Sequence, residues 1–87
     1  MSRKNIDLYP IKEKVKNFIR ESVHTDIEKI TDDSLIFREG YLDSMGFIMM
    51  ITFIEEEFTI KTTDEDLIEE NFESINAISG FISRKLQ

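Results

Sequence analysis

The sequence predicts an all-α fold: a bundle of three principal helices and one short helix, with a long loop between the first two. Three observations predict it. Apolar residues recur at helical spacing in three separate segments. No stretch shows the sustained period-2 alternation of a half-buried strand. Ser, Thr or Asp stands where each segment after the first should open. At 87 residues the chain is expected to form one domain over 1–87, with a compact helical core.

The first helix is expected from about Leu8 to Ser22. Pro10 suits a first turn, where its missing N–H costs nothing. Ile11, Val15, Phe18 and Ile19 fall at i, i+4, i+7 and i+8 and share one face. Lys12, Glu13, Lys14, Lys16 and Arg20 fall largely elsewhere. A long connection follows, from about His24 to Leu42. Within it Thr25-Asp26-Ile27-Glu28 has a capping-box pattern that can begin a short turn. Leu35, Ile36 and Phe37 are too apolar for a free loop, and two of them are expected to plug the bundle. So long a loop in a compact domain is usually functional or packed. Gly40 reads as a turn residue with positive φ.

The second helix, Ser44 to about Glu57, is the most informative. Phe47, Met50, Ile51, Ile54 and Phe58 fall at i, i+3, i+4, i+7 and i+11, a complete core face. Met45, Ile48 and Met49 are also apolar and lie on another side with Thr52. A surface helix of a small domain does not need two apolar faces, so the surplus points to a contact surface or to cover by the long loop. Gly46 leaves room beside Ser44, or permits a close contact between helix and loop. After Ile60, Thr63 and Asp66 form another capping box ahead of Leu67 and Ile68, predicting a short helix over 64–70. Ser74 then caps a last helix, 74–85, with Ile75, Ile78, Phe81 and Ile82 on one side. The expected core comprises Val15, Phe18, Ile19, Ile51, Ile54, Phe58, Ile75, Ile78 and Ile82.

Composition narrows the function. Eleven basic residues against 18 acidic ones give a net charge of −7, which argues against nucleic acid and anionic membranes as partners. With no cysteine there is no disulfide scaffold and no thiol nucleophile. The charged N-terminus leads into no signal-type stretch, and the longest apolar run, Phe47 to Ile51, is too short to span a bilayer. A cytoplasmic location without membrane insertion is the expectation. His24 is the lone histidine, and Ser44 has no Gly-x-Ser-x-Gly elbow. Asp32 with Asp33, and Asp64 with Asp66, sit where acidic residues open turns and helices, so capping explains them better than catalysis. Glu55-Glu56-Glu57 point in different directions around a helix and do not converge on a metal. No enzyme activity and no metal site are expected.

One segment carries chemistry. Asp43 and Ser44 are both good helix N-caps, immediately before an almost wholly apolar helix. A serine hydroxyl there stands at the positive end of the helix, where an attached phosphate is stabilised by free N–H groups and the dipole.

From Asp33 to about Ile82 the sequence resembles the acyl carrier protein family, small helical proteins that carry substrates on a 4'-phosphopantetheine arm. The resemblance rests on an ordered set. It begins with Asp33-Ser34-Leu35-Ile36-Phe37 and Gly40-Tyr41-Leu42-Asp43-Ser44-Met45. Glu55-Glu56-Glu57-Phe58-Thr59-Ile60 follows, then Thr63-Asp64-Glu65-Asp66-Leu67 and Asn71-Phe72-Glu73-Ser74-Ile75. It implies a stand-alone, monomeric carrier, with Ser44 as the attachment serine and Asp43 its usual neighbour. The cofactor would be 4'-phosphopantetheine, covalently bound and derived from coenzyme A. The implied partners are a phosphopantetheinyl transferase, an acyl- or aminoacyl-loading ligase and downstream transferases.

In carriers of primary fatty acid synthesis the second and fifth residues after the serine are commonly acidic. Here they are Gly46 and Met49. Leu42-Asp43-Ser44-Met45-Gly46 looks more like carriers of aminoacyl or specialised acyl groups, including D-alanyl carriers. The partner surface is then expected to comprise Met45, Ile48, Met49 and Thr52 beside Ser44, with Glu55 and Glu56 as an acidic margin. A second reading stays open: an unmodified interaction module of the same fold, in which Ser44 is only a cap.

Overall fold

The computed structural model describes residues 8–22 and 27–87. Among the described residues the chain forms four α-helices and two 3-10 turns, with no strand. Helix α1 is Leu8–Ser22, α2 is Ser44–Phe58, α3 is Glu69–Phe72 and α4 is Ile75–Leu86. The 3-10 turns are Ile27–Lys29 and Asp64–Asp66.

Pro10 sits in the first turn of α1, where no i−4 carbonyl awaits its nitrogen. In the last turn Ser22 Oγ donates to the Phe18 carbonyl at 2.8 Å. The Ile11, Val15 and Ile19 stripe is buried, and α1 lays it chiefly against α4. The other wall of that contact is Ile78 and Ile82, both fully buried. Ser74 caps α4 by accepting the Ala77 N–H at 3.1 Å, and Arg84 and Lys85 complement the dipole at its far end.

The long connection is tied down on both sides. Asp32 takes ion pairs from Lys12 at 3.2 Å and Lys16 at 3.3 Å on α1. Its carbonyl accepts the Asn76 N–H at 3.0 Å, and Asp33 accepts the Asn76 side-chain amide at 2.7 Å. Partial burial raises the pKa of Asp32, but the two lysines outweigh it and hold the carboxyl below its ordinary range. Ile36 donates its N–H to the Glu73 carbonyl at 3.0 Å, while its own carbonyl accepts from Tyr41 and Leu42. The side chains of Ile30, Ile36 and Leu42 enter the core. Of the apolar triplet, Ile36 is fully enclosed and the half-buried Phe37 packs against the core beside it, so two of the three close the bundle, as expected; Leu35 is half-buried. The short turn expected near residue 27 is present, but Thr25 and Asp26 lie outside the described residues. Gly40 has φ +82°, as its turn role requires.

The segment 64–70 departs from the continuous helix expected of it. Thr63 and Asp66 do form the capping box, with Thr63 N–H to Asp66 at 2.9 Å and Asp66 N–H to Thr63 Oγ1 at 3.3 Å. The helix it opens stops after one 3-10 turn. Leu67 and Ile68 then run in a non-helical stretch, with Ile68 extended, before the single turn of α3. A continuous helix would stack Glu65 over Glu69 and Asp66 over Glu70, like charges at i,i+4. The break avoids this, and Asn71 Nδ2 secures it by donating to the Asp66 carbonyl at 2.7 Å.

All nine expected core residues face inward. Val15, Ile19, Ile54, Ile75, Ile78 and Ile82 are buried, while Phe18, Ile51 and Phe58 pack on the margin. Phe18 stacks on Phe53 with ring centroids 4.7 Å apart, and Phe53 meets Phe58 edge-on at 6.1 Å. The Phe18–Phe53 stack joins α1 to α2, and the Phe53–Phe58 contact within α2 braces it.

Candidate functional site

Helix α2 begins at Ser44 because Asp43 caps it. Asp43 has extended backbone angles, and its Oδ1 accepts the Gly46 N–H at 2.9 Å. Its carbonyl takes the Phe47 N–H at 2.9 Å. Of the two candidate caps, the aspartate therefore fills the role. Ser44 is the first helical residue and is exposed. Among the described residues its hydroxyl has no hydrogen-bond partner. The first-turn amides of Ser44 and Met45 have no intrahelical acceptor either, which leaves donors beside that hydroxyl.

Gly46 serves a different contact from the one beside Ser44. A Cβ there would stand 3.0 Å from Leu42 Cδ2 and 3.5 Å from Asp43 Oδ1. The glycine lets the loop residue Leu42 close over the first turn. That closure keeps Asp43 within reach of the helix end.

Beside Ser44 runs an open groove of about 710 Å³. Phe37, Gly40 and Leu42 of the loop form one wall, and Leu67, Ile68 and Glu69 the other. Phe47, Ile48 and Phe72 lie between them. Leu67 and Ile68 are 41% and 49% exposed, which the break in the 64–72 segment makes possible. Arg38 Nε donates to Glu69 at 3.1 Å, joining the two walls. The sequence reading missed this groove, since it put Leu67 and Ile68 on a helix. Two adjacent apolar residues between acidic runs, in a segment too short to bury both, were the available signal.

On the outer side of α2, Met45, Ile48 and Met49 are 62%, 58% and 53% exposed, and Thr52 is exposed beside them. The loop leaves this face open because its own apolar residues enter the core instead. The three glutamates diverge. Glu55 accepts the Thr62 hydroxyl at 2.7 Å and the Thr62 N–H at 3.0 Å, bonds that hold its pKa below the ordinary value. Glu57 pairs with Lys14 at 2.8 Å, and Glu56 is exposed. Glu55 thus fastens the turn after α2, and Glu56 is the freer carboxylate at the margin of the apolar face. Asp66 pairs with Lys85 at 2.7 Å within its capping box, and Asp32 and Asp33 brace the loop, so both aspartate pairs have structural partners. His24 lies outside the described residues.

A family of proteins described as the phosphopantetheine attachment site matches residues 13–82. The acyl carrier protein of Buchnera aphidicola subsp. Baizongia pistaciae is 34% identical over 74 residues, covering 85% of this chain and 92% of that protein. The chain belongs to the acyl carrier protein family. It is also 33% identical over 73 residues to a D-alanyl carrier protein of Streptococcus suis, covering 83% and 91% of the two chains. The acyl carrier protein of Thermotoga maritima is 29% identical over 73 residues, covering 84% and 88%. Carriers of both kinds thus match at nearly the same identity.

The prosthetic group of this carrier family is a covalent 4'-phosphopantetheine, and the chain's residues fit it. A hydroxyl with no competing partner stands at a helix N-terminus, where unpaired amides suit a phosphodiester. When bound, the group supplies a flexible tether ending in a thiol, which this cysteine-free chain lacks.

Proposed function

We propose that this carrier takes its phosphopantetheine on Ser44 Oγ and holds acyl or aminoacyl groups on it as thioesters. The observation that carries the reading is the division of labour at the start of α2. Asp43 does the capping, so the Ser44 hydroxyl remains exposed and unengaged. An interaction module in which Ser44 served only as the cap would use that hydroxyl on its own helix.

In this reading Asp43 and Gly46 fix the first turn, and Leu42 holds the loop against it. The α2 amides face the phosphodiester. Met45, Ile48, Met49 and Thr52, with Glu56 and the more constrained Glu55 at the margin, meet the transferase, the loading ligase and downstream transferases. Three apolar side chains at i, i+3 and i+4 suit a partner groove. Gly46 and Met49, where fatty-acid-synthesis carriers commonly have acidic residues, favour an aminoacyl or specialised acyl cargo. The chain itself does no chemistry on the cargo; it presents it at high local concentration.

The test is intact-mass measurement after incubation with coenzyme A and a broad-specificity phosphopantetheinyl transferase. Wild type should gain one arm and Ser44→Ala none. Equal labelling of the two would move the attachment point elsewhere.

A further inference from the structure

We infer that Phe47 is a specificity-determining residue: its ring closes the floor of the groove beside Ser44 and keeps long alkyl cargo out of the bundle. The inference rests on the carrier reading of Ser44 and deepens it.

Phe47 lies three residues after Ser44, on the side of α2 that faces the groove. Its ring meets Phe37 edge-on at 5.6 Å and 76°, and Phe72 edge-on at 5.5 Å and 81°. Phe72 continues to Phe81 at 5.0 Å. The rings form a row from the loop wall to the centre of the bundle, each held by its neighbours in a favoured geometry. Phe72 is 1% exposed and Phe81 2%. Behind the row lie Met50, Ile54, Ile75 and Ile78, all buried, and none of them lines the groove. The apolar path from Ser44 into the core therefore ends at the rings of Phe47 and Phe72.

The consequence concerns cargo length. A short acyl chain finds apolar walls at Ile48, Leu67 and Ile68. A longer chain gains nothing further, because its tail meets closed rings and lies in solvent. Replacing Phe47 by a smaller apolar residue removes ring volume next to the groove and opens a way toward Met50 and Ile54.

The experiment loads wild type, Phe47→Val and Phe47→Leu directly from acetyl-, hexanoyl- and dodecanoyl-coenzyme A with a broad-specificity transferase, with complete loading verified by mass. Circular dichroism checks folding. Thioester hydrolysis at mildly alkaline pH and the thermal midpoint are then read for each chain length. In wild type, hexanoyl and dodecanoyl should hydrolyse at the same rate and melt together. In Phe47→Val, dodecanoyl should hydrolyse about tenfold more slowly than hexanoyl, the bias that burial of about two further methylenes gives. It should also raise the midpoint, with Phe47→Leu intermediate. Protection that keeps rising with chain length in wild type would show that the ring swings aside, and would overturn the inference even where Phe47→Val fails to fold. Equal chain-length behaviour of wild type and a folded variant would overturn it too. If neither wild type nor variant takes up any arm, the carrier reading itself falls, and the inference with it.

Discussion

Asp43 Oδ1 accepts the Gly46 N–H at 2.9 Å, and this one bond fixes both the start of α2 and the freedom of the Ser44 hydroxyl. Aspartate and asparagine cap about equally well, while alanine costs about 1 kcal/mol. Asp43→Asn should therefore keep nearly wild-type stability in urea unfolding, and Asp43→Ala should lose about that amount. With the cap gone, Ser44 becomes the nearest residue able to replace it. Its modification by the transferase should slow in Asp43→Ala more than in Asp43→Asn.

Gly46 separates two opposing effects. Glycine to alanine within a helix normally gains up to about 1 kcal/mol. Here the added Cβ would stand 3.0 Å from Cδ2 of Leu42, which is 5% exposed and has little room to retreat. The steric term should win, so Gly46→Ala is expected to destabilise by about 1 kcal/mol. The midpoint of urea unfolding measures the sign directly. A stabilised variant would mean that Leu42 yields.

The far end of α2 carries strain that a substitution can relieve. Thr59 is left-handed, with φ 55° and ψ 50°, and its N–H closes the helix on the Glu55 carbonyl. A β-branched residue is disfavoured there by about 1–2 kcal/mol, which glycine escapes at some entropic cost in the unfolded chain. Thr59→Gly should therefore raise stability by about 0.5–1 kcal/mol without moving the helix end. Thermal unfolding of the two proteins decides it.

Acid should loosen the turn after α2 and the capping box of residues 63–66. The Lys85 ammonium and the Thr63 N–H hold the pKa of Asp66 below its ordinary 3.8, and the Thr62 hydroxyl and N–H hold that of Glu55 below 4.5. Groups with lowered folded values bind more protons when unfolded, so stability rises with pH through this window. Their contribution is complete above about pH 5 and is lost as pH falls past the ordinary carboxylate values toward the lower folded ones. Asp66→Asn should be less stable than wild type at neutral pH, and the two should converge in acid. Thermal midpoints from about pH 7 to about pH 2 test this, and curves that stay parallel throughout would contradict it.

Periodicity made α1, α2 and α4 legible in the sequence, because each buries a stripe that is complete without help from elsewhere. Val15 and Ile19, or Ile78 and Ile82, could be assigned before any packing partner was known. The 64–72 segment was not legible in that way. Its capping box, Thr63 with Asp66, is real, but a cap signals where a helix opens and not how far it runs. The like charges at 65 and 69, and at 66 and 70, were visible as residues. Their effect depends on Asn71 being in place to donate to the Asp66 carbonyl. The groove was hidden for the same reason, since Leu67 and Ile68 form a wall only once that helix breaks. Phe37 and Phe72 come to Phe47 from the loop and from α3, tertiary contacts that no local spacing encodes.

Met49 offers the sharpest separation of surface from core on α2. It is 53% exposed, whereas the next residue, Met50, is 1% exposed. Met49→Glu should leave the far-ultraviolet circular dichroism unchanged and the unfolding free energy within about 0.5 kcal/mol, as for other surface substitutions. Met50→Glu should unfold the protein, because an unpaired carboxylate cannot be buried at that cost. In a partner groove the Met49→Glu carboxylate would also be desolvated, so affinity for the transferase or the native loading enzyme should fall about tenfold or more. Binding by the wild-type apolar face should change little between low and high salt, since few exposed charge pairs are there to be screened. Unfolding of Met49→Glu would return Met49 to the core. Unchanged binding would mean that partners dock on another face.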